Sequence, residues 1–338
     1  MIKKPSWFIS ILLATLMVVM ALPLSLFLWL AMADQRPGVE SLPLPAGNPT
    51  ITIADIPDTP TDRQRRTIRL QDQAVGPVGF VIDQPRKLLP DASLPVMILL
   101  GGAPKGEQAL AYMPPVGNNA IVSLDWPMPV PDDLPRDFQL ALDAPSLRVD
   151  ILRAPGQVAA VYDWLRAQDW VDQDRISIIG VSLGAMIAPA AQFLIEQRSP
   201  SRTPVAATLL AFGGANLKHM IAENPSLQNT SWATERPWLL GWLAWAGAKA
   251  LHPMEPANYL RDLNGQFMVV NASRDGVIPQ ASVERFTALV PTPKDTATIA
   301  GGHIGPDPET PRILRTLTGI ATGWLIGLDV VNEPNSGS

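Results

Sequence analysis

Six short runs, apolar almost throughout, constrain this chain more than any other feature. They are PVMILLGG (95–102), AIVSLD (120–125), RISIIG (175–180), VAATLLAFGG (205–214), QFMVVNAS (266–273) and ATIAGG (297–302). Runs this short and this continuous suit strands buried on both faces, and such strands belong to parallel sheets. Helical spacing lies between several of them. Val158, Val161, Tyr162 and Leu165 fall at i, i+3, i+4 and i+7 ahead of 175–180. QASVERFTALV (280–290) follows the fifth run, and PRILRTLTGIATGWLIGL (311–328) closes the domain. Alternating strand and helix predicts an α/β fold, a mostly parallel sheet with helices on both faces. Upstream, TIRLQDQ (67–73) and VGFVID (78–83) alternate around Gly76-Pro77, which predicts a hairpin of half-exposed strands.

The chain of 338 residues holds one large domain with additions, or two small ones. It is 47% hydrophobic, ample for a sizeable core. The net charge is −5, and there is no basic block beyond pairs such as Arg65–Arg66. That balance argues against nucleic acid as a partner. Cysteine is absent, which removes disulfides, thiol catalysis and cysteine metal sites together. Of the three histidines, His219, His252 and His303, no two lie at metal-ligand spacing. No metal and no organic cofactor is expected. No internal repeat points to a solenoid or propeller.

The first 33 residues read as a membrane-targeting segment. Lys3 and Lys4 precede an uncharged run that lasts to Asp34 and is nearly all apolar from Trp7 to Met32. As a helix, that run spans about 39 Å, enough to cross a hydrocarbon core of about 30 Å. Its length favours an uncleaved anchor over a signal peptide. Against that, Ala31-Met32-Ala33 reads as a small-x-small cleavage site, and Pro23 stands ahead of it to break the helix. Positive charge before the run places the N-terminus inside and the rest outside the cytoplasm. The chain is then anchored on the periplasmic or extracellular side, or is secreted after cleavage near Ala33. Residues 34–66, rich in Pro and polar residues, read as a semi-extended tether. The domain proper is expected over 67–338.

RISIIGVSLGAM (175–186) places Ser182 between Gly180 and Gly184, directly after a buried-looking strand. Small residues there relieve crowding in a sharp strand-to-helix turn that pushes the serine hydroxyl out of the sheet. The following helix N-terminus offers backbone N–H groups to a developing oxyanion. A serine needs a base, and the base an orienting acid. His303 follows the last apolar run in GGHIGP, and Asp275 follows the fifth in NASRDGVIP. Both lie past strand ends, where ligands of α/β sheets bind. Each alone also has a plain reading: a chance G-x-S-x-G, a turn or helix-cap aspartate, a loop histidine among glycines. Together they stand in the order Ser, Asp, His expected of a nucleophile elbow and its partners.

WVDQDRISIIGVSLGAM resembles the nucleophile region of the α/β-hydrolase superfamily, especially dienelactone hydrolase-like and prolyl-oligopeptidase-like serine esterases. The Asp-x-x-Arg-Ile lead-in of those families corresponds to Asp172 to Ile176. LLGGAPKG (99–106) is similar to their oxyanion loop, with Gly101 where a histidine is common. NASRDGVIP is similar to their acid loop and GGHIGP to their histidine loop. The resemblance covers about residues 67–328 and implies roles by position. Ser182 attacks a carbonyl carbon, His303 moves the proton, and Asp275 holds the imidazole. The backbone N–H groups of Leu183 and Ala103, or of Gly102, bind the oxyanion.

Residues 215–260 are too long for a simple crossover, and the resemblance implies that an insertion here forms a small helical cap over the pocket. SWATERPWLLGWLAWAGAKALHP (231–253) carries Trp232, Trp238, Trp242 and Trp245. These tryptophans either pack the cap onto the body, line an acyl pocket or touch a membrane interface, where Trp is favoured. The whole predicts a serine hydrolase acting on a carboxylic ester or thioester, with a small-molecule substrate and a membrane contact through the N-terminal helix. Acyl transfer or peptide hydrolysis would use the same acyl-enzyme. A catalytically idle hydrolase fold serving as a binding protein is the reading from a different class.

Overall fold

The computed structural model describes residues 40–57, 62–87, 93–102, 107–113, 116–127, 139–198, 205–305 and 307–333, with 21, 24, 25, 28–30, 32 and 36. The expected membrane segment, 1–33, lies mostly outside them. Among the described residues, no helix is long and apolar enough to cross a membrane.

Nine strands among the described residues form one sheet: β1 (Thr50–Asp55), β2 (Arg63–Asp72), β3 (Gly76–Pro85), β4 (Leu94–Leu100), β5 (Ala120–Leu124), β6 (Val171–Val181), β7 (Ala207–Ala211), β8 (Gln266–Ala272) and β9 (Lys294–Ile299). Their order is β1-β2-β3-β5-β4-β6-β7-β8-β9. The first three strands and β5 pair antiparallel. From β5 to β9 every pairing is parallel. β4 and β5 are buried at every position, as are all five residues of β7. That is the burial expected of continuous apolar runs in a parallel sheet.

Helices close both faces. On one side lie α1 (Gln139–Arg166) and α2 (Leu183–Arg198). Val158, Val161, Tyr162 and Leu165 of α1 are buried in one cluster with Phe80, Ile98 and Ile178 of the sheet. Four short helices follow β7: α3 (Leu217–Ala222), α4 (Pro225–Gln228), α5 (Ser231–Glu235) and α6 (Pro237–Ala250). They form the helical insertion expected over 215–260, which ends in three 3-10 turns between His252 and Asp262. α7 (Gln280–Leu289) adds Phe286 to the first face. α8 (Thr310–Gly327) covers the second face with Ile313, Leu317, Ala321 and Leu325, one residue per turn. Each fully buried Leu or Ile of this kind contributes about 1.5–3 kcal/mol.

Two expectations need correction. The tether read over 34–66 contains β1 and the first residues of β2. Alternation in TITIAD pairs Thr50 with Gln71 and Asp55 with Arg66. The charges at the start of β2 are matched across the sheet, where Arg63 and Arg65 both pair with Asp83 of β3. Residues ahead of β1 are docked rather than free. Leu42 is 1% exposed, the Ala46 N–H donates to Asp72, and a Cβ on Gly156 of α1 would lie 2.1 Å from the Pro43 carbonyl oxygen. The last apolar run, 297–302, is shifted as well. Its strand is Lys294–Ile299, mostly uncovered because β9 forms the sheet edge, and Ala300 to Gly302 belong to the loop beyond.

Leu42→Ala should therefore cost about 2–4 kcal/mol, as for a core leucine. Urea unfolding of the full chain measures it. A change within about 0.5 kcal/mol, typical of a surface site, would return residues 40–49 to the role of a tether.

Candidate active site

β6 ends at Val181 and α2 begins at Leu183, so a single residue, Ser182, makes the turn. Its φ is +55°, in the left-handed region that side chains seldom adopt. The two flanking glycines are required by contact. A Cβ on Gly180 would lie 2.7 Å from the Gly184 carbonyl oxygen. A Cβ on Gly184 would lie 2.0 Å from the carbonyl oxygen of Leu100, at the end of β4. The turn is also tied to the next strand, because the Ser182 N–H donates to the Ala211 carbonyl at 2.8 Å.

The loops after β8 and β9 converge on this turn. The Ser273 N–H donates to Ile299 and the Arg274 N–H to Gly301, both at 2.9 Å. These bonds carry the strand pairing one step past the sheet and hold Asp275 and His303 side by side. His303 Nδ1 and Asp275 Oδ2 are 2.8 Å apart, and His303 Nε2 and Ser182 Oγ are also 2.8 Å apart. A carboxylate only accepts, so Nδ1–H donates to Asp275, which leaves Nε2 to accept from the serine hydroxyl. The side chains of His303 and Asp275 are 8% and 5% exposed. Asp275 uses its other oxygen, Oδ1, to accept the N–H groups of Val277 and Ile278. The turn role and the histidine role are thus both filled by one carboxylate.

Burial alone would raise the Asp275 pKa, since it penalises the charged form. The hydrogen bond and charge of His303 and the two backbone N–H groups outweigh it and hold the carboxyl below its ordinary range.

Among the oxyanion candidates, Leu183 is the first residue of α2, so its N–H has no carbonyl partner within the helix. The Gly102 backbone runs alongside, with a Cβ there falling 3.3 Å from Ser182 Cβ. Ala103 lies outside the described residues. Among the described residues, no cluster of three or more His, Asp or Glu could hold a metal ion. His219 sits in α3 and His252 in the turn after α6.

Phe212 belongs to the site and carries no chemical signal in the sequence. It follows β7 with φ +56° and is 1% exposed. A bulky residue held in that conformation costs about 1–3 kcal/mol. Its ring meets the His303 imidazole edge-on, with centroids 5.9 Å apart. The cap reaches the site through an apolar cluster containing Met186, Met220, Ile278 and Val283. Met186 is one helical turn beyond Ser182, and Ile278 is the residue whose N–H binds Asp275.

The lowered Asp275 pKa has a sign that can be tested. A carboxyl more acidic when folded contributes stability above its unfolded pKa and loses it as pH falls through the folded value. Wild type should therefore be more stable than Asp275→Asn at pH 6–7, with the gap closing below about pH 4. Urea midpoints at a series of pH values measure the gap. A gap that widens toward low pH contradicts the assignment.

No protein-family model matches the chain, and no curated protein matches it by sequence. Solved structures do match in fold. Acetyl xylan esterase 1 from a Thermoanaerobacterium species aligns at TM-score 0.60 and 14% identity, over 84% of this chain and 89% of that one. An acetyl xylan esterase from a Paenibacillus species aligns at 0.57 and 15%, over 81% and 89%. The 2,6-dihydroxy-pseudo-oxynicotine hydrolase aligns at 0.53 and 18%, over 80% and 70%. The order of strands, the Ser182 turn and these likenesses together show that the chain has the α/β-hydrolase fold.

Proposed function

We propose that the chain is a serine hydrolase that cleaves a carboxylic ester or thioester through an acyl-enzyme. The observation that carries this reading is the unbroken line from Ser182 Oγ through His303 to Asp275, two hydrogen bonds of 2.8 Å each. In the first step Ser182 Oγ bonds to the substrate carbonyl carbon while its proton passes to His303 Nε2. The carbonyl oxygen becomes an oxyanion, held by the N–H of Leu183 and by the backbone at Gly102 or Ala103. One such donor lowers the barrier by about 3–4 kcal/mol. His303 then gives the proton to the leaving alcohol or thiol as the carbon–oxygen or carbon–sulfur bond breaks. Asp275 holds the imidazole in the tautomer this requires and stabilises its charged form. Water repeats the sequence on the acyl-serine and frees the acid.

Acetyl xylan esterases stand among the structures of the same fold, which supports an ester as the bond cleaved. The chemistry uses no metal or organic cofactor. The apolar run from Trp7 to Met32 supports placing the enzyme on a membrane, with its catalytic domain outside the cytoplasm.

An active-site fluorophosphonate should label the full chain in detergent and should not label Ser182→Ala. Turnover of short p-nitrophenyl esters should fall by at least about 10⁴-fold in the same variant. A folded wild type that neither labels nor turns over any ester would overturn the reading.

A further inference from the structure

Trp238, Trp242, Trp245 and Lys249 of α6 fall at i, i+4, i+7 and i+11, one stripe along the helix. The stripe is covered only in part. Trp245 and Trp29 both pack against the apolar cluster of Leu30, Ala246 and Ala250. Arg148 of α1 lies over the Trp29 ring, 6.0 Å from its centre. Trp29 and Leu30 are near the end of the 26-residue apolar run from Trp7 to Met32. Trp238 and Trp242 lie beyond that contact and are 69% and 39% exposed. Within the run, Leu24, Leu28 and Met32 form a second exposed stripe, at 58%, 50% and 85%. Large apolar side chains exposed in line, next to a segment long enough to cross a bilayer, call for a common apolar neighbour.

We propose that Trp238 and Trp242 of α6 dock into the headgroup region of the lipid bilayer that the N-terminal run enters. The inference rests on the membrane placement proposed above and not on the hydrolase chemistry. The run ends against α6, so α6 stands where the chain leaves the membrane. Trp is favoured at that depth because its ring is apolar and its indole N–H is polar. Lys249, exposed on the same stripe, suits the headgroups that flank such aromatics. The inner end of α6 continues into Ala248 and Leu251, which pack against the cluster holding Met186 and Ile278. Docking therefore places at the lipid surface the same helix whose C-terminal end flanks the Ser182 site. An amphipathic ester could then reach the site from the bilayer interface.

The chain contains no cysteine, so single labels can be placed cleanly. Trp238→Cys, Trp242→Cys and Thr52→Cys, each in the full chain, would carry a nitroxide after reconstitution into liposomes of zwitterionic and anionic phospholipid. Thr52 lies on the exposed edge strand β1, at the opposite edge of the sheet from β9. The expected result is high oxygen and low nickel-chelate accessibility at 238 and 242, with the reverse at 52. Equal nickel-chelate accessibility at all three sites overturns the proposal. Protection at 238 and 242 with spin–spin broadening that vanishes on dilution with unlabelled chain also overturns it, because a second copy would then be the cover.

Discussion

The approach of α2 to the end of β4 sets the geometry on which the site depends. At Gly184 no side-chain carbon fits, because Leu100 carbonyl oxygen occupies its place. With the helix that close, the chain has one residue in which to turn from β6, and Ser182 takes the left-handed conformation. The serine hydroxyl then projects from the carboxyl edge of the sheet, and the first N–H groups of α2 lie beside it. Everything else at the site is arranged around that hydroxyl. The loops after β8 and β9 are stitched together by two backbone hydrogen bonds, so that Asp275 and His303 arrive as a pair. The strain at Ser182 and at Phe212 is small beside the burial energy of a sheet covered on both faces.

What could be read from the sequence follows from what each contact needs. Parallel strands buried on both faces are written as apolar runs, so β4 to β8 were legible. Ser182, Asp275 and His303 were legible because polar residues with complementary chemistry stand just past two of those runs and past the last apolar run, 297–302. β1 and the start of β2 were hidden. TITIAD alternates but stands among prolines, the start of β2 is crowded with Arg, and the Arg63 and Arg65 charges are neutralised by Asp83, distant in sequence. β9 was misplaced by three residues because an edge strand needs no continuous apolar pattern. Phe212 was illegible for another reason. It reads as the end of a buried run, and neither its positive φ nor its contact with His303 follows from local pattern.

The cap joins the two ends of the account. Its inner side shares a cluster with Met186 and Ile278, next to the triad. Its outer side meets Trp29 and Leu30 of the N-terminal run. The same short helices therefore face the Ser182 site on one side and the proposed membrane contact on the other. A tryptophan-rich sequence serves both needs, since Trp245 packs while Trp238 and Trp242 remain uncovered.

The central claim is that the line from Asp275 through His303 makes Ser182 a nucleophile that carries the acyl group. Intact-protein mass spectrometry of a rapidly quenched reaction with a slow ester substrate tests it most directly. The account predicts a mass increase of one acyl group, located by peptide mapping to Ser182 and absent in His303→Gln. Turnover without any adduct, or an adduct on another residue, would contradict it.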